Sequence, residues 1–330
     1  MRKQAFIKIF VLILSSFLIF SSYIYAESSL FFGEVQSIAG YSSMDNKMIY
    51  RSGHEKDTMQ KNSIGFDLIK KFSSKTRDIL TAALQLRVAY DDSEEKAQLQ
   101  IYNAYLKVKT SIGDISLGHN RVAFGLESYW DTHGELIQPL QMYGFGYDRD
   151  WGIVFSKDTD NGNVQFALTS GTAMALRFKN NWLATSRISK GVLSYDNYTL
   201  GLSVMAGNIL ETMGYTIMSE ETSEIGLAAT DFAYNHNNFE HKAQVNVGKI
   251  TDDMACAGLY RLSLNFLEEN KLKLEWQYVY TRRADFDNHY IDAAINYKIN
   301  SDITTRLAYS WQREMNDNKI AAQFYYYFLI

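Results

Sequence analysis

The sequence predicts an all-β fold: a transmembrane antiparallel β-barrel of about 16 strands whose wall surrounds a long, inward-folded loop. Three observations predict it. Apolar and polar residues alternate in repeated segments, each close to the ~10 residues that a tilted membrane-crossing strand requires. The connections between these segments sort by length, long at one end of the strands and short at the other. The last segment stays apolar to the final residue, Ile330.

The first residues stand apart from this pattern. Arg2, Lys3 and Lys8 lead into an apolar core, Ile9 to Phe20, followed by Ser21-Ser-Tyr-Ile-Tyr-Ala26. That is the layout of a secretory signal peptide over residues 1–26, cleaved after Ala26. The apolar run is about 12 residues, short of the roughly 20 that a spanning helix needs. No cysteine follows it, which excludes a lipoprotein signal. Residues 27–330 then form one barrel domain.

Composition narrows the class. Proline occurs once among 330 residues, against 23 tyrosines and 19 phenylalanines. Soluble β-domains place proline on edge strands, whereas a closed sheet has no edge to host it. The single cysteine, Cys256, excludes an internal disulfide and a thiolate metal site. A net charge of −4 argues against a nucleic-acid partner.

Alternating segments are expected at Ser29–Tyr41, Asn62–Phe72, Arg77–Tyr90, Ala97–Lys109, Asp114–His119 and Asp148–Ser156. They continue at Val164–Ser170, Trp182–Ser189, Asn197–Ala206, Glu224–Tyr234 and Phe239–Lys249. The last are Cys256–Leu267, Leu272–Arg282, His289–Ile299, Ile303–Gln312 and Lys319–Ile330. In the fourth, Tyr102, Ala104, Leu106 and Val108 share one face, and Asn103, Lys107 and Lys109 the other. Later, Leu272, Leu274, Trp276, Tyr278 and Tyr280 oppose Lys273, Glu275, Gln277 and Thr281. A soluble sandwich would alternate in the same way with its apolar face inward, so alternation alone leaves both open.

The connections favour the barrel. Long ones are expected at Ser42–Lys61, Asn120–Tyr147 and Gly207–Ser223, and short ones at Ser73–Thr76, Thr110–Gly113, Asn235–Asn238, Glu268–Lys271 and Asn300–Asp302. A sandwich has no reason to sort its loops by end, whereas a membrane barrel does so. The connection Asn120–Tyr147, with the sole proline Pro139 and Gly144-Phe-Gly146, is long enough to expect a function of its own.

The stretch Asn103-Ala-Tyr-Leu-Lys-Val-Lys-Thr-Ser-Ile-Gly-Asp-Ile-Ser-Leu-Gly-His119, followed by Phe124-Gly-Leu-Glu127, resembles the strand pair and loop entry of bacterial porins. Asp148-Arg-Asp-Trp-Gly152 is similar to the strand opening of the phosphate-selective porin O and P branch. The resemblance implies a 16-stranded barrel, a homotrimer, and a third external loop, Asn120–Tyr147, that folds inward to narrow the channel.

If the polar faces line a lumen, its basic candidates are Arg87, Lys107, Lys109, Arg187, Lys242, Arg261, Lys273, Lys298 and Arg306. Acidic candidates are fewer: Glu240, Glu275 and Asp292. Such an excess favours anions. The loop carries Arg121 with Glu127, Asp131 and Glu135, which are expected to face wall cations such as Arg87, Lys107 and Arg187 across the narrowing. The competing reading is a set of salt bridges with no role in selectivity. Asp231 falls in phase with Ile225, Leu227 and Ala229, so its strand is expected to bulge or end early.

No catalytic constellation is expected. Gly113-Asp-Ile-Ser-Leu117 only superficially matches a Gly-Asp-Ser-Leu esterase motif. His54, His119, His133, His236, His241 and His289 show no metal or triad spacing and read as solvated loop or strand-end residues. The expected function is an outer-membrane porin with no cofactor and no metal. It would pass small hydrophilic solutes and ions passively, with a mild anion preference. Its partners would be outer-membrane lipid and those solutes, in a Gram-negative-type envelope reached by signal-peptide export. The alternatives are a substrate-selective channel for phosphate, dicarboxylate or sugar, and a plugged barrel acting as an adhesin or anchor.

Overall fold

Alternating β-branched and aromatic residues form strands along almost the whole chain. The computed structural model describes residues 26–52, 60–75, 77–91 and 95–330. The leader expected over residues 1–26 lies outside them, apart from Ala26, which opens the first strand. No helix among the described residues is long and apolar enough to cross a membrane.

The strands are β1 Ala26–Ser42, β2 Lys47–Ile49, β3 Ser63–Ser73, β4 Asp78–Asp91, β5 Lys96–Lys109 and β6 Asp114–Arg121. There follow β7 Arg149–Thr159, β8 Gly162–Thr169, β9 Trp182–Lys190, β10 Tyr198–Met213, β11 Thr216–His236 and β12 Phe239–Ile250. The last are β13 Asp253–Phe266, β14 Leu272–Arg283, β15 Phe286–Lys298, β16 Ile303–Gln312 and β17 Asp317–Leu329.

Apart from the three-residue β2, a short branch on the end of β1, these strands form one closed antiparallel barrel of sixteen. From β3 to β17 each strand pairs with the next, and β1 pairs with both β17 and β3 to shut the ring. β1 meets β3 through residues 26–36 and β17 through residues 32–42. That offset is the stagger of tilted strands in a barrel. Among the described residues every strand of the ring has a partner on both sides, as the scarcity of proline suggested.

The two faces separate as the alternation predicted. On β10, Leu202 is 62% exposed and its neighbour Ser203 only 4%. Leu200, Val204, Trp276, Leu307, Tyr309, Ile320 and Phe324 are likewise exposed on the outside. Gln244, Arg261, Glu275, Gln277 and Gln323 are buried on the opposite face.

Three expectations need correction. Tyr102 does not share the face of Ala104 and Leu106. The β4–β5 register slips between Gln85 and Leu86, whose partners are Asn103 and Ile101, so Tyr102 is the extra residue of a bulge and is buried on the inner face. Asp231 marks no bulge or early end, because β11 runs in continuous register past it. Ile225, Leu227, Ala229, Asp231 and Ala233 all lie on the buried face. Gly207–Ser223 is not a long loop. β10 and β11 continue through it as a two-stranded ribbon and turn at Gly214-Tyr215, beyond the residues that pair with β9 and β12.

The apolar face of β11 is explained by segment 122–148, which joins β6 to β7. Val122, Phe124, Leu126, Trp130, Leu140 and Phe145 pack against Leu183, Met205, Ile225, Leu227, Leu259 and Val279 of the wall. Each fully buried side chain of this kind contributes about 1.5–3 kcal/mol over exposure. Two short 3-10 turns, Leu126–Ser128 and Leu140–Tyr143, shape the segment. Gly125 enters the first with φ 62°, and a Cβ there would lie 2.4 Å from Gln244 Nε2. The Gln244 amide could move aside, but φ 62° with ψ −155° is a backbone conformation that residues other than glycine rarely adopt.

Glu127 sits inside this apolar packing, 1% exposed, and forms no ion pair among the described residues. Burial pushes its carboxyl well above the ordinary range. The folded state therefore holds the proton more tightly than the unfolded chain. Its stabilising contribution is full below the ordinary carboxyl pKa and is lost as pH rises through the raised value, by about 1.4 kcal/mol per pH unit. Glu127→Gln is expected to match the parent protein in acid and to exceed its unfolding temperature at pH 8. Thermal melts across pH check this, and an unchanged pH dependence in the variant would overturn it.

Candidate functional site

The buried face of the wall carries several groups of charged side chains. On β1 and β4, Arg87 donates to Glu34 at 3.0 Å and to Gln36 at 2.9 Å. His133, from segment 122–148, reaches the same group, 3.1 Å from Glu34 and 3.2 Å from Arg87. Its ring lies 4.4 Å from that of Tyr102. His133 is therefore a bridge between segment and wall rather than the solvated residue expected. His119 is also buried rather than solvated, its Nδ1 2.9 Å from the carbonyl of Tyr102.

A second group surrounds Asp131. It pairs with Arg121 and lies 3.6 Å from Arg149, which also pairs with Asp148. Arg149 stacks 3.6 Å above the ring of Tyr102, and the Tyr102 hydroxyl donates to Asp131 at 3.2 Å. The planar guanidinium suits such a stack far better than an ammonium would. Beside it, Asp150 accepts from Ser170 Oγ at 2.7 Å and from the Gly171 N–H at 2.5 Å, fixing the connection that follows β8.

A third group lies across the barrel. Arg261 donates to Glu135 at 2.7 Å, to the carbonyl of Ile137 at 3.0 Å and to Gln277 at 2.8 Å. It also stacks on Trp130 at 4.3 Å. Lys273 lies 3.1 Å from Glu240 and 3.2 Å from Glu275, and Lys242 lies 3.2 Å from Glu240. Gln277 donates to Asp292 at 3.0 Å. Arg187 is separate, held bidentately by Asp231 at 2.7 and 3.0 Å.

Among the described residues no ion pair joins a loop carboxylate to Arg87, Lys107 or Arg187, and Asp131 and Lys107 line one cavity. Glu34 holds Arg87, Asp231 holds Arg187, and Lys107 lies 3.9 Å from Asp114. Asp131 and Glu135 instead meet Arg121, Arg149 and Arg261, while Glu127 meets no cation among the described residues. Lys109 stands at the short-turn rim, 3.9 Å from Asp78. Arg306 donates to Gln323 at 2.8 Å and lies 5.2 Å from the ring of Tyr325. Glu34, Tyr102, His133 and Arg149 were missed as site residues. Glu34 was detectable, since Glu34 and Gln36 alternate within the first expected segment.

Two polar cavities adjoin these groups. One of about 640 Å³ is lined by Asp67, Tyr105, Lys107, Arg121, Asp131 and Tyr327 among others. The other, of about 240 Å³, lies among Glu240, Lys273, Glu275, Lys298 and Arg306.

No family model and no curated protein sequence matches the chain. Solved structures do resemble it. OmpF of Salmonella typhi, in complex with daunomycin, superposes with a TM-score of 0.67 at 13% identity, covering 91% of this chain and 97% of that one. An anion-selective porin from Comamonas acidovorans gives 0.64 at 13% identity, covering 92% and 100%. A loop-deletion mutant of OmpT, an outer membrane protein of Vibrio cholerae, gives 0.63 at 14% identity, also covering 92% and 100%. At these identities the shared property is the fold: the chain has the closed sixteen-stranded barrel of outer-membrane porins.

Proposed function

We propose that the protein is an outer-membrane porin, a water-filled channel for passive diffusion of small hydrophilic solutes and ions. The observation that carries this reading is the reversal of faces in a closed ring. Apolar side chains stand exposed on the outside, while Arg87, Arg261, Glu275 and Gln277 are buried inside. That is the pattern of a wall between lipid and water. Residues 1–26 direct export, and the mature chain works as a homotrimer in the outer membrane of a Gram-negative-type cell. The channel catalyses no bond chemistry.

In this reading segment 122–148 is the third external loop and forms the constriction. Its contacts reach Glu34 and Arg87 on one side and Arg261 on the other. Passage is then limited by size at the loop and biased by charge. Most interior cations are neutralised by carboxylates, which fits a mild rather than a strong anion preference. The same breadth of contact favours, as the second reading, a plugged barrel.

Purified protein in a planar bilayer is expected to give stepwise currents, with a reversal potential in a salt gradient displaced modestly towards the anion. A folded barrel without current would replace the channel by the plugged reading. Cation-biased currents would keep the channel and overturn its anion preference. Arg261→Ala removes the anchor of Ile137 and leaves Glu135 without its cation, at a cost of about 3–5 kcal/mol for a broken buried ion pair. Open-channel noise and mean conductance should both rise in this variant, and unchanged currents would dissociate the loop from conduction. Mass measurement of the detergent-solubilised protein should return three chains per particle; a single chain would remove the trimer.

A further inference from the structure

The 240 Å³ cavity is lined by more cations than carboxylates. Its three carboxylates, Glu135, Glu240 and Glu275, are each paired, with Arg261, Lys242 and Lys273 as their cations. Asn265 and Asn296 add hydrogen bonds of 2.7 Å to Glu240 and Glu275. Three further cations line the same cavity: Lys271, Lys298 and Arg306. Among the described residues none of them forms an ion pair, and Arg306 is bonded only to the neutral amide of Gln323.

The strand registers place these three on one patch of the inner face. Leu272 pairs with Tyr297, so the next positions, Lys271 and Lys298, stand opposite each other, and the Lys298 N–H donates to the Lys271 carbonyl at 2.8 Å. Lys298 pairs in turn with Thr304, and Asn296 with Arg306. Arg306 is thus the diagonal neighbour of Lys298. Directly opposed side chains lie about 4.5–5.5 Å apart at Cβ and diagonal ones about 7–8 Å, and opposed like charges repel. An arrangement of this kind is relieved by an anion bound between the three.

We propose that this cavity, at the short-turn end of the lumen along β12 to β16, is a binding subsite for a small organic anion bearing two or three carboxylates. The inference rests on the channel reading for its role in transport but not for its binding chemistry. Charges spread over several ångströms suit separated carboxylates better than one compact ion. Arg306 supplies a planar fork that accepts a carboxylate bidentately. Lys271 and Lys298 hold the second and third carboxylates at the rim, and Thr304 offers a hydroxyl to any remaining oxygen.

Isothermal titration of the detergent-solubilised protein with citrate tests this, with acetate and inorganic phosphate as comparison probes. Saturable citrate binding, weakened about tenfold or more by Arg306→Gln and again by Lys298→Gln, is expected. Lys157→Gln, on the outer face, should leave it unchanged, and heat-modifiable migration confirms that each variant is a folded barrel. Phosphate binding tighter than citrate would overturn the carboxylate assignment. Absent binding, or binding indifferent to both substitutions, would overturn the subsite. In a bilayer, citrate on the short-turn side should reduce the current of the parent channel and not that of the double variant. Citrate binding without any current would keep the subsite and reject the channel.

Discussion

Backbone hydrogen bonding is the constraint on which the rest of the molecule depends. A sheet in lipid must satisfy every N–H and C=O internally, and only closure achieves that for strands. Here closure is made by one strand, β1, which pairs with β3 on one side and β17 on the other. Once the ring is shut, each strand has one face outside and one inside, and the sequence of each segment follows from that division. The exposed Leu200, Leu202 and Val204 of β10 and the buried Thr199 and Ser203 beside them are both consequences of the same closure.

The interior is then a polar container that must be furnished. Segment 122–148 packs its own apolar side chains against the wall, which answers with Leu183, Met205, Ile225 and Leu227, where other strands carry polar residues. Arginines fasten the segment at several points, Arg261 through a side chain and a backbone carbonyl, Arg149 through Asp131 and the face of Tyr102. A buried guanidinium with several partners loses little on desolvation compared with an unpaired one. Most of the cations that meet the segment are paired with carboxylates, and among the described residues Lys271, Lys298 and Arg306 gather unpaired beside β14–β16.

The barrel was legible in the sequence because period two is a local signal, repeated in every strand. What escaped was whatever broke the period without a marker. Tyr102 is a bulge with no glycine or proline beside it. The polar run Ser219-Glu-Glu-Thr-Ser223 reads as loop although it is the strand of a ribbon. Ile225 and Leu227 looked like outer-face residues because their inner-face role depends on Phe124 and Leu126, about a hundred positions away. The cations of the interior could be named from parity, but not their partners. Glu34 with Arg87, and Arg187 with Asp231, are tertiary pairings that no local pattern encodes.

The pairing of β1 with β17 joins Ser42 to Lys319, almost the full length of the chain apart. Contacts of such separation come late and slowly in folding, since the entropy of closing the loop precedes any gain. Until the last strand arrives, the growing sheet has two bare margins that could pair with another chain. Assembly therefore needs those margins shielded until residues 317–329 are in place, and a chain cut before them would present a template for aggregation rather than a smaller barrel.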